Sequence, residues 1–263
     1  MNLMSDGLRK AAGERLRRIV EVLTRNPVMG VIVGTIVTAL MQSSSATTVM
    51  VIGFVSAGLM TLPQAISVIM GANIGTTVTA QLIAFKIGNY AYLFAAVGFI
   101  LYFFLRKKIL KYVGQVIFSF GLLFIGLNIM GDVMKPLARN PVFAEMILKL
   151  GETPVLGVLV GTVMTVLIQS SSATIGVLQN LASQPVAEGS TQALISLKTA
   201  IPILLGDNIG TTITALLASI GAKVNAKRAA AAHSIFNIAG AFIFIWFIPA
   251  FAKFVEIKIG RAS

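Results

Sequence analysis

The stretch NPVMGVIVGTIVTALMQSSSAT at 26–47 returns, with a few changes, as TPVLGVLVGTVMTVLIQSSSAT at 153–174. A second pair follows, GANIGTTVTAQL at 71–82 and GDNIGTTITALL at 206–217. The first pair is offset by 127 residues and the second by 135, so the later copy carries an insertion around SQPVAEGS. Upstream, MNLMSDGL at 1–8 resembles LNIMGDVM at 127–134, which sets Asn2 against Asn128 and Asp6 against Asp132. A chain patterned this way folds as two copies of one structural unit.

Composition says which solvent that unit faces. Of the 263 residues, 56% are hydrophobic and 11% charged, and YAYLFAAVGFILYFFL (90–105) offers no polar face. A soluble helical protein needs helices with a polar outer side, so these segments are read as membrane helices. The chain has no cysteine, which excludes disulfide staples. Its net charge of +12 is gathered in short runs between apolar segments, at Arg9–Arg25, Arg106–Lys111, Lys223–Arg228 and, more weakly, Lys253–Arg261. That is the placement expected of cytoplasmic loops; a nucleic-acid surface would interleave basic and aromatic residues. The charged, amphipathic start does not read as a cleavable signal peptide.

Each unit can be measured against the bilayer. Pro27–Met41 has 15 residues, roughly 22 Å as helix, whereas the hydrocarbon is about 30 Å thick. It is expected to pair with the equally short Ala46–Met60 as a re-entrant helical hairpin, with QSSS at a tip inside the membrane. LPQAISVIMGANIGTTVTAQLIAF (62–85) is long enough to span, and its GANIGTT sequence predicts a discontinuous transmembrane helix, tolerated at that depth where protein or a cavity satisfies the freed backbone. The second copy repeats both features at 154–184 and 193–221. The predicted fold is an all-α integral membrane protein with a first repeat at 1–105, a basic cytoplasmic loop at 106–112, a second repeat at 113–252 and a tail at 253–263.

Charge orients the trace. If Arg9–Arg25 is cytoplasmic, Leu8, Ala12, Leu16, Ile19 and Leu23 lay that segment along the interface as an amphipathic helix. Following the chain through the hairpin, the spanning helix and crossings at 90–105 and 113–131 brings RKKILK and KVNAKR to one side, and the nearly charge-balanced 135–152 to the other. The repeats are therefore expected to have inverted topology, in a multi-pass protein of the inner (cytoplasmic) membrane. The second unit opens with YVGQVIFSFGLLFIGLNIM, whereas the first starts where that helix should be ending, so a further helix is expected upstream of Met1.

Inverted repeats with paired discontinuous helices are the pattern of secondary transporters whose site lies near the midplane. Helices beginning at Ser45 and Ser172 would turn free N–H groups and positive dipole ends toward the tips. Helices restarting after Gly75 and Gly210 would add two more, so that up to four N-termini converge on an anion. The hydroxyls of Ser43, Ser44, Ser45, Ser170, Ser171 and Ser172, with the amides of Gln42 and Gln169, supply directional hydrogen bonds. Opposite them, freed carbonyls and the oxygens of Asn73, Thr76, Thr77, Asn208, Thr211 and Thr212 suit a small hard cation such as Na+, not a transition metal. Asp207, whose counterpart is Ala72, is the one acid inside an apolar segment. It is read as a cation ligand or a group that titrates during transport, or else as a structural cap. His233 is assigned to packing at the interface or to proton coupling, and Lys198 to snorkelling outward.

The paired QSSSAT motifs, GANIGTT with GDNIGTT, and AAAAHSIFN, which ends at Asn237, resemble the type II sodium-dependent phosphate cotransporter family, bacterial branch, over nearly the whole chain. The resemblance implies Na+-coupled movement of inorganic phosphate. It places phosphate on Gln42, Ser43, Ser44, Ser45, Gln169, Ser170, Ser171 and Ser172. The coupling ion, Na+, falls to Asn73, Thr76, Thr77, Asp207, Asn208, Thr211 and Thr212. A channel would line an open pore with rings of like groups and has little use for two closed hairpins. A hydrolase would need a base beside a QSSS serine, for which His233 and Asp207 are poor support. The chain is read as a transporter working by alternating access, not as an enzyme. Its partners are phosphate and membrane lipids, with no nucleic acid. A homodimer, an anion channel or phosphate exporter of the same fold and a truncated, non-transporting half stay open.

Overall fold

The computed structural model describes Lys10, Thr24, 26–84, 90–138, Lys149, 153–185 and 193–259. The interfacial helix expected at Arg9–Arg25 and most of 135–152 lie outside the described residues. Among those residues the regular elements are helices: α1 (Pro27–Met41), α2 (Ser44–Ala57), α3 (Leu62–Ala84), α4 (Ala91–Phe104), α5 (Lys108–Ala138), α6 (Pro154–Ile168), α7 (Ser171–Ala182), α8 (Leu197–Ala218), α9 (Val224–Phe244) and α10 (Ile248–Ile259). They belong to two compact units, one of Met1–Asn128 with Thr214–His233 and the other of Ile129–Ile213 with Ser234–Ser263.

Local chemistry sets the helix ends of the first unit. The Asn26 side chain accepts from the Val28 N–H at 2.9 Å, and Pro27 starts α1 where a missing N–H costs nothing. At the far end Gln42 adopts a left-handed conformation, and Ser43 is extended, so α2 begins at Ser44, one residue earlier than expected. Gly58, also left-handed, closes α2. Gln64 accepts from both the Thr61 N–H (2.9 Å) and the Thr61 hydroxyl (2.8 Å), a cap that starts α3.

The expected interruption at GANIGTT and GDNIGTT is absent. Both α3 and α8 run as continuous helices through these residues, and no additional helix N-termini arise after Gly75 or Gly210. The glycines serve packing instead. Gly30 and Gly34 of α1 face Ser67 and Val68 of α3, while Gly71 and Gly75 of α3 face Val31, Thr35 and Thr38 of α1. A Cβ on Gly71 would run into the Val31 carbonyl oxygen. In the second unit Gly157 and Gly161 face Pro202 and Ile203, and Gly206 and Gly210 face Val158, Thr162 and Thr165. This is a small-xxx-small seam on both partners, the spacing that lets membrane helices approach backbone to backbone.

Threonine completes the seam. The Thr35 hydroxyl is shared between its own helix, at Val31 O (2.9 Å), and Gly71 O of α3 (3.1 Å). Thr162 repeats this with Val158 O (2.8 Å) and Gly206 O (3.1 Å). In the NIGTT segments, Thr76, Thr77, Thr211 and Thr212 donate to Ala72, Ile74, Asp207 and Ile209 carbonyls of their own helices. Hydroxyls so engaged sit on a wound helix, not on an opened one.

Four helical runs among the described residues are long and apolar enough to cross a membrane: Leu62–Ala84, Lys108–Val133, Leu197–Ala218 and Val224–Ile257. The crossing expected at 90–105 appears as α4, only 14 residues long and below that length. It packs on α5 through Gly98 against Phe118, Gly114 against Tyr102 and Gly121 against Ala95, with Phe94 edge-on to Phe120 at 5.4 Å. The turn between them exposes Arg106, Lys107 and Lys108, and the Lys111 ammonium sits 5.6 Å above the Tyr102 ring. Lys198 is exposed near the start of α8.

The seam predicts a graded response to added methyl groups. Gly71→Ala and Gly206→Ala place a Cβ against backbone and should each cost about 1–3 kcal/mol. Gly53→Ala, with nothing within 4 Å of the new methyl, should be neutral or mildly stabilising. Thermal unfolding of the purified protein in one detergent checks the ordering.

Candidate functional site

Each hairpin turns within two residues. Gln42 has φ 53° and ψ 29°, and Gln169 has φ 54° and ψ 29°. Among the described residues these are the only non-glycine positions with positive φ. A long side chain in the left-handed region is strained where glycine would be relaxed. Ser43 and Ser170 follow in extended conformation, and their side chains accept from the Ala46 N–H (3.2 Å) and the Ala173 N–H (3.3 Å). The chain thus reverses with one donor of each new helix capped, leaving the N-terminal end of α2 or α7 at the tip. Neither first turn holds an acidic residue that would compete with a bound anion.

Beneath the tips lies a buried threonine pair. In the first unit the Thr38 hydroxyl donates to Thr47 Oγ1 at 2.9 Å, and Thr47 Oγ1 lies 3.1 Å from Ser43 O. The pair ties α1 to α2 and supports the turn. In the second unit Thr165 and Thr174 lie 3.0 Å apart, and Thr165 donates to Asp207 Oδ1 at 2.5 Å. Since a hydroxyl carries one proton, Thr165 must accept from Thr174, the reverse of the direction in the first unit. The Thr174 to Ser170 O separation is correspondingly long, 3.4 Å. Ala72 occupies the place of Asp207 in the first unit and leaves that end of the relay without a carboxylate.

Asp207 is 1% exposed, and Thr165 and Thr174 are as deeply buried. A carboxylate and two hydroxyls form an oxygen cluster suited to a hard monovalent cation, which would offset the cost of a buried negative charge. The remaining expected cation residues are spread along the same helices. Thr211 and Thr212 are buried, Asn73 and Thr76 half-buried, and Thr77 and Asn208 exposed. His233 is buried, with Nε2 3.4 Å from Asn73 Oδ1, and Asn237 is buried as well. Ser44 and Ser171 are buried, as is Ser172, while Ser43, Ser45 and Ser170 are half-buried. Gln42 is 5% exposed, but Gln169 is exposed, so the two tips share a backbone and not an environment.

Thr165 and Thr174 are missing from the sequence-based site. The signal was present: Thr38, Thr47, Thr165 and Thr174 are polar residues identical in both copies within apolar helices.

Comparison with known proteins finds the same twofold repeat. The family model described as Na+/Pi-cotransporter matches twice, over residues 1–132 and 131–260. "Uncharacterized protein YqeW" of Bacillus subtilis (strain 168) is 31% identical over 256 residues, covering 97% of this chain and 80% of that protein. "Putative inorganic phosphate export protein YjbB" of Escherichia coli (strain K12) is 25% identical over 252 residues, covering 96% of this chain but 45% of the relative. "Sodium-dependent phosphate transport protein 2A" of Ovis aries is 41% identical over 86 residues, or 32% of this chain and 14% of the relative. No solved structure matches the chain significantly. With two matches that together span nearly its whole length, this multi-pass helical chain belongs to the Na+/Pi-cotransporter family.

Proposed function

We propose that this chain carries inorganic phosphate across the cytoplasmic membrane by alternating access, coupled to Na+. The observation that carries the reading is the duplicated tip, where a strained glutamine and a serine cap end one short helix and open another. Strain repeated at equivalent positions is retained for what it presents, here amide and hydroxyl donors at a helix N-terminus. Phosphate is held by Gln42, Ser43, Ser44 and Ser45 and by Gln169, Ser170, Ser171 and Ser172. Na+ is held through Asp207, with Thr165 and Thr174 supporting it, and Asn73, Thr76, Thr77, Asn208, Thr211 and Thr212 are the further candidates for the coupling ion. Each hairpin, fastened to its long helix by the glycine–threonine seam, moves as one piece and carries its tip with it.

The repeats are proposed to enter from opposite faces as re-entrant hairpins, within the sequence divisions 1–105 and 113–252. Basic side chains exposed at the α4–α5 turn and at Lys223, Lys227 and Arg228 support a shared cytoplasmic side for these turns. A second reading, net export of phosphate by the same cycle, is favoured by the printed name of the Escherichia coli relative. The direction of net flux follows the ion and phosphate gradients and does not alter the site.

Radiolabelled phosphate flux in proteoliposomes tests the coupling: an imposed Na+ gradient should drive saturable flux in its own direction, and collapse of that gradient should abolish it. Within the site, Ser44→Ala and Ser171→Ala should each raise the phosphate half-saturation by about tenfold. Asp207→Asn should instead raise the Na+ half-saturation by about tenfold, with phosphate affinity at saturating Na+ little changed. Because the chain lacks cysteine, single substitutions report topology cleanly. Lys107→Cys and Lys227→Cys should react with an impermeant maleimide only from the cytoplasmic side, and Lys149→Cys only from the opposite one.

A further inference from the structure

Gln42 is buried at 5% exposure, and its two amide atoms have different fates. Nε2 donates to the Ala39 carbonyl at 2.5 Å, while Oε1 is buried and accepts no hydrogen bond. The amide cannot simply be turned over, because that would set Oε1 against the Ala39 carbonyl oxygen. The contact at Ala39 therefore leaves Oε1 as the buried amide atom without a partner, on a side chain that already sits on a strained backbone. Burying an unpaired acceptor is costly unless a donor meets it during function.

The rest of the tip does not need such a donor. Ser43, Ser44 and Ser45 carry hydroxyls that both donate and accept, and the α2 N-terminus offers N–H groups. Only the Gln42 carbonyl oxygen, among these four side chains, can accept and never donate. A tetrahedral oxyanion with no proton would meet it oxygen to oxygen. One that keeps a hydroxyl can donate to it.

Resting on the reading of this tip as a phosphate site, we propose that Gln42 is its specificity-determining residue. Its Oε1 accepts the hydroxyl of a protonated tetrahedral oxyanion and so admits phosphate and arsenate while rejecting sulfate. At neutral pH phosphate and arsenate each keep at least one hydroxyl, and sulfate keeps none. A site built around a substrate hydroxyl rejects an analogue lacking it far more strongly than size or charge allows, because the buried partner is left unpaired. Gln169 shares the left-handed backbone, with φ 54°, but is exposed, so water can satisfy its amide and it exerts no such selection.

The test is competition for radiolabelled phosphate bound to the purified full chain in saturating Na+, with arsenate and sulfate as displacers. Two variants remove the acceptor: Gln42→Met keeps the length of the side chain, and Gln42→Gly suits the left-handed backbone, which protects folding. Wild-type protein should release phosphate to arsenate and not to sulfate. Both variants should bind phosphate about tenfold more weakly and narrow the phosphate-to-sulfate preference by at least that factor, with arsenate tracking phosphate. If the variants bind phosphate and their preference over sulfate is unchanged, the inference is overturned. It is equally overturned if they shift only the Na+ requirement, since Oε1 would then be a cation ligand. Wild-type protein that binds no phosphate would overturn the phosphate-site reading itself, and the selectivity with it.

Discussion

Two helices in lipid gain nothing from hiding apolar surface from each other, because the tails around them are as apolar as their own side chains. What holds α1 to α3 and α6 to α8 is therefore close contact, made possible by glycines at four-residue spacing on both partners. Thr35 and Thr162 add hydrogen bonds across the contact to the carbonyls of Gly71 and Gly206. Everything at the tips depends on this seam. The 15-residue helices α1 and α6 each end at a left-handed glutamine, and each turn is supported from within by the threonine pair beneath it.

That support makes the tip geometry tenable. A glutamine in left-handed backbone is unfavourable by itself, and the buried threonine pair beneath it joins the two arms so that the turn cannot relax. The units then diverge in chemistry while keeping the backbone. One carries Ala72 under its tip and a buried Gln42; the other carries Asp207 and an exposed Gln169. Duplication gives two scaffolds, and the side chains on them have diverged, with a carboxylate at Asp207 in one and a methyl at Ala72 in the other.

Much of this was legible in the sequence because lipid leaves few options. The repeat, the two short helices of each copy and the polar turn between them follow from residue spacing, and the ends of α1, α3 and α4 agree to within a residue or two, whereas α5 (Lys108–Ala138) extends well past the expected 113–131. The continuous course of α3 and α8 was not legible. Glycine and β-branched threonine in GANIGTT have low helix propensity, which favours a break. The same glycines at four-residue spacing are also a packing motif, and only their register with Gly30 and Gly34, or Gly157 and Gly161, decides between the two. Pairing across helices is a tertiary fact. So is the meeting of Thr165 with Asp207, 42 residues apart, which no local pattern announces.

If the proposed cycle holds, a QSSS tip is where the oxyanion rests. Arsenate, which has the shape and hydroxyl of phosphate and scatters anomalously, locates it directly in crystals grown with Na+. An arsenic peak is expected within hydrogen-bonding reach of Ser44 or Ser171, weakened when Na+ is replaced by choline. A well-occupied arsenic site remote from both tips would contradict it.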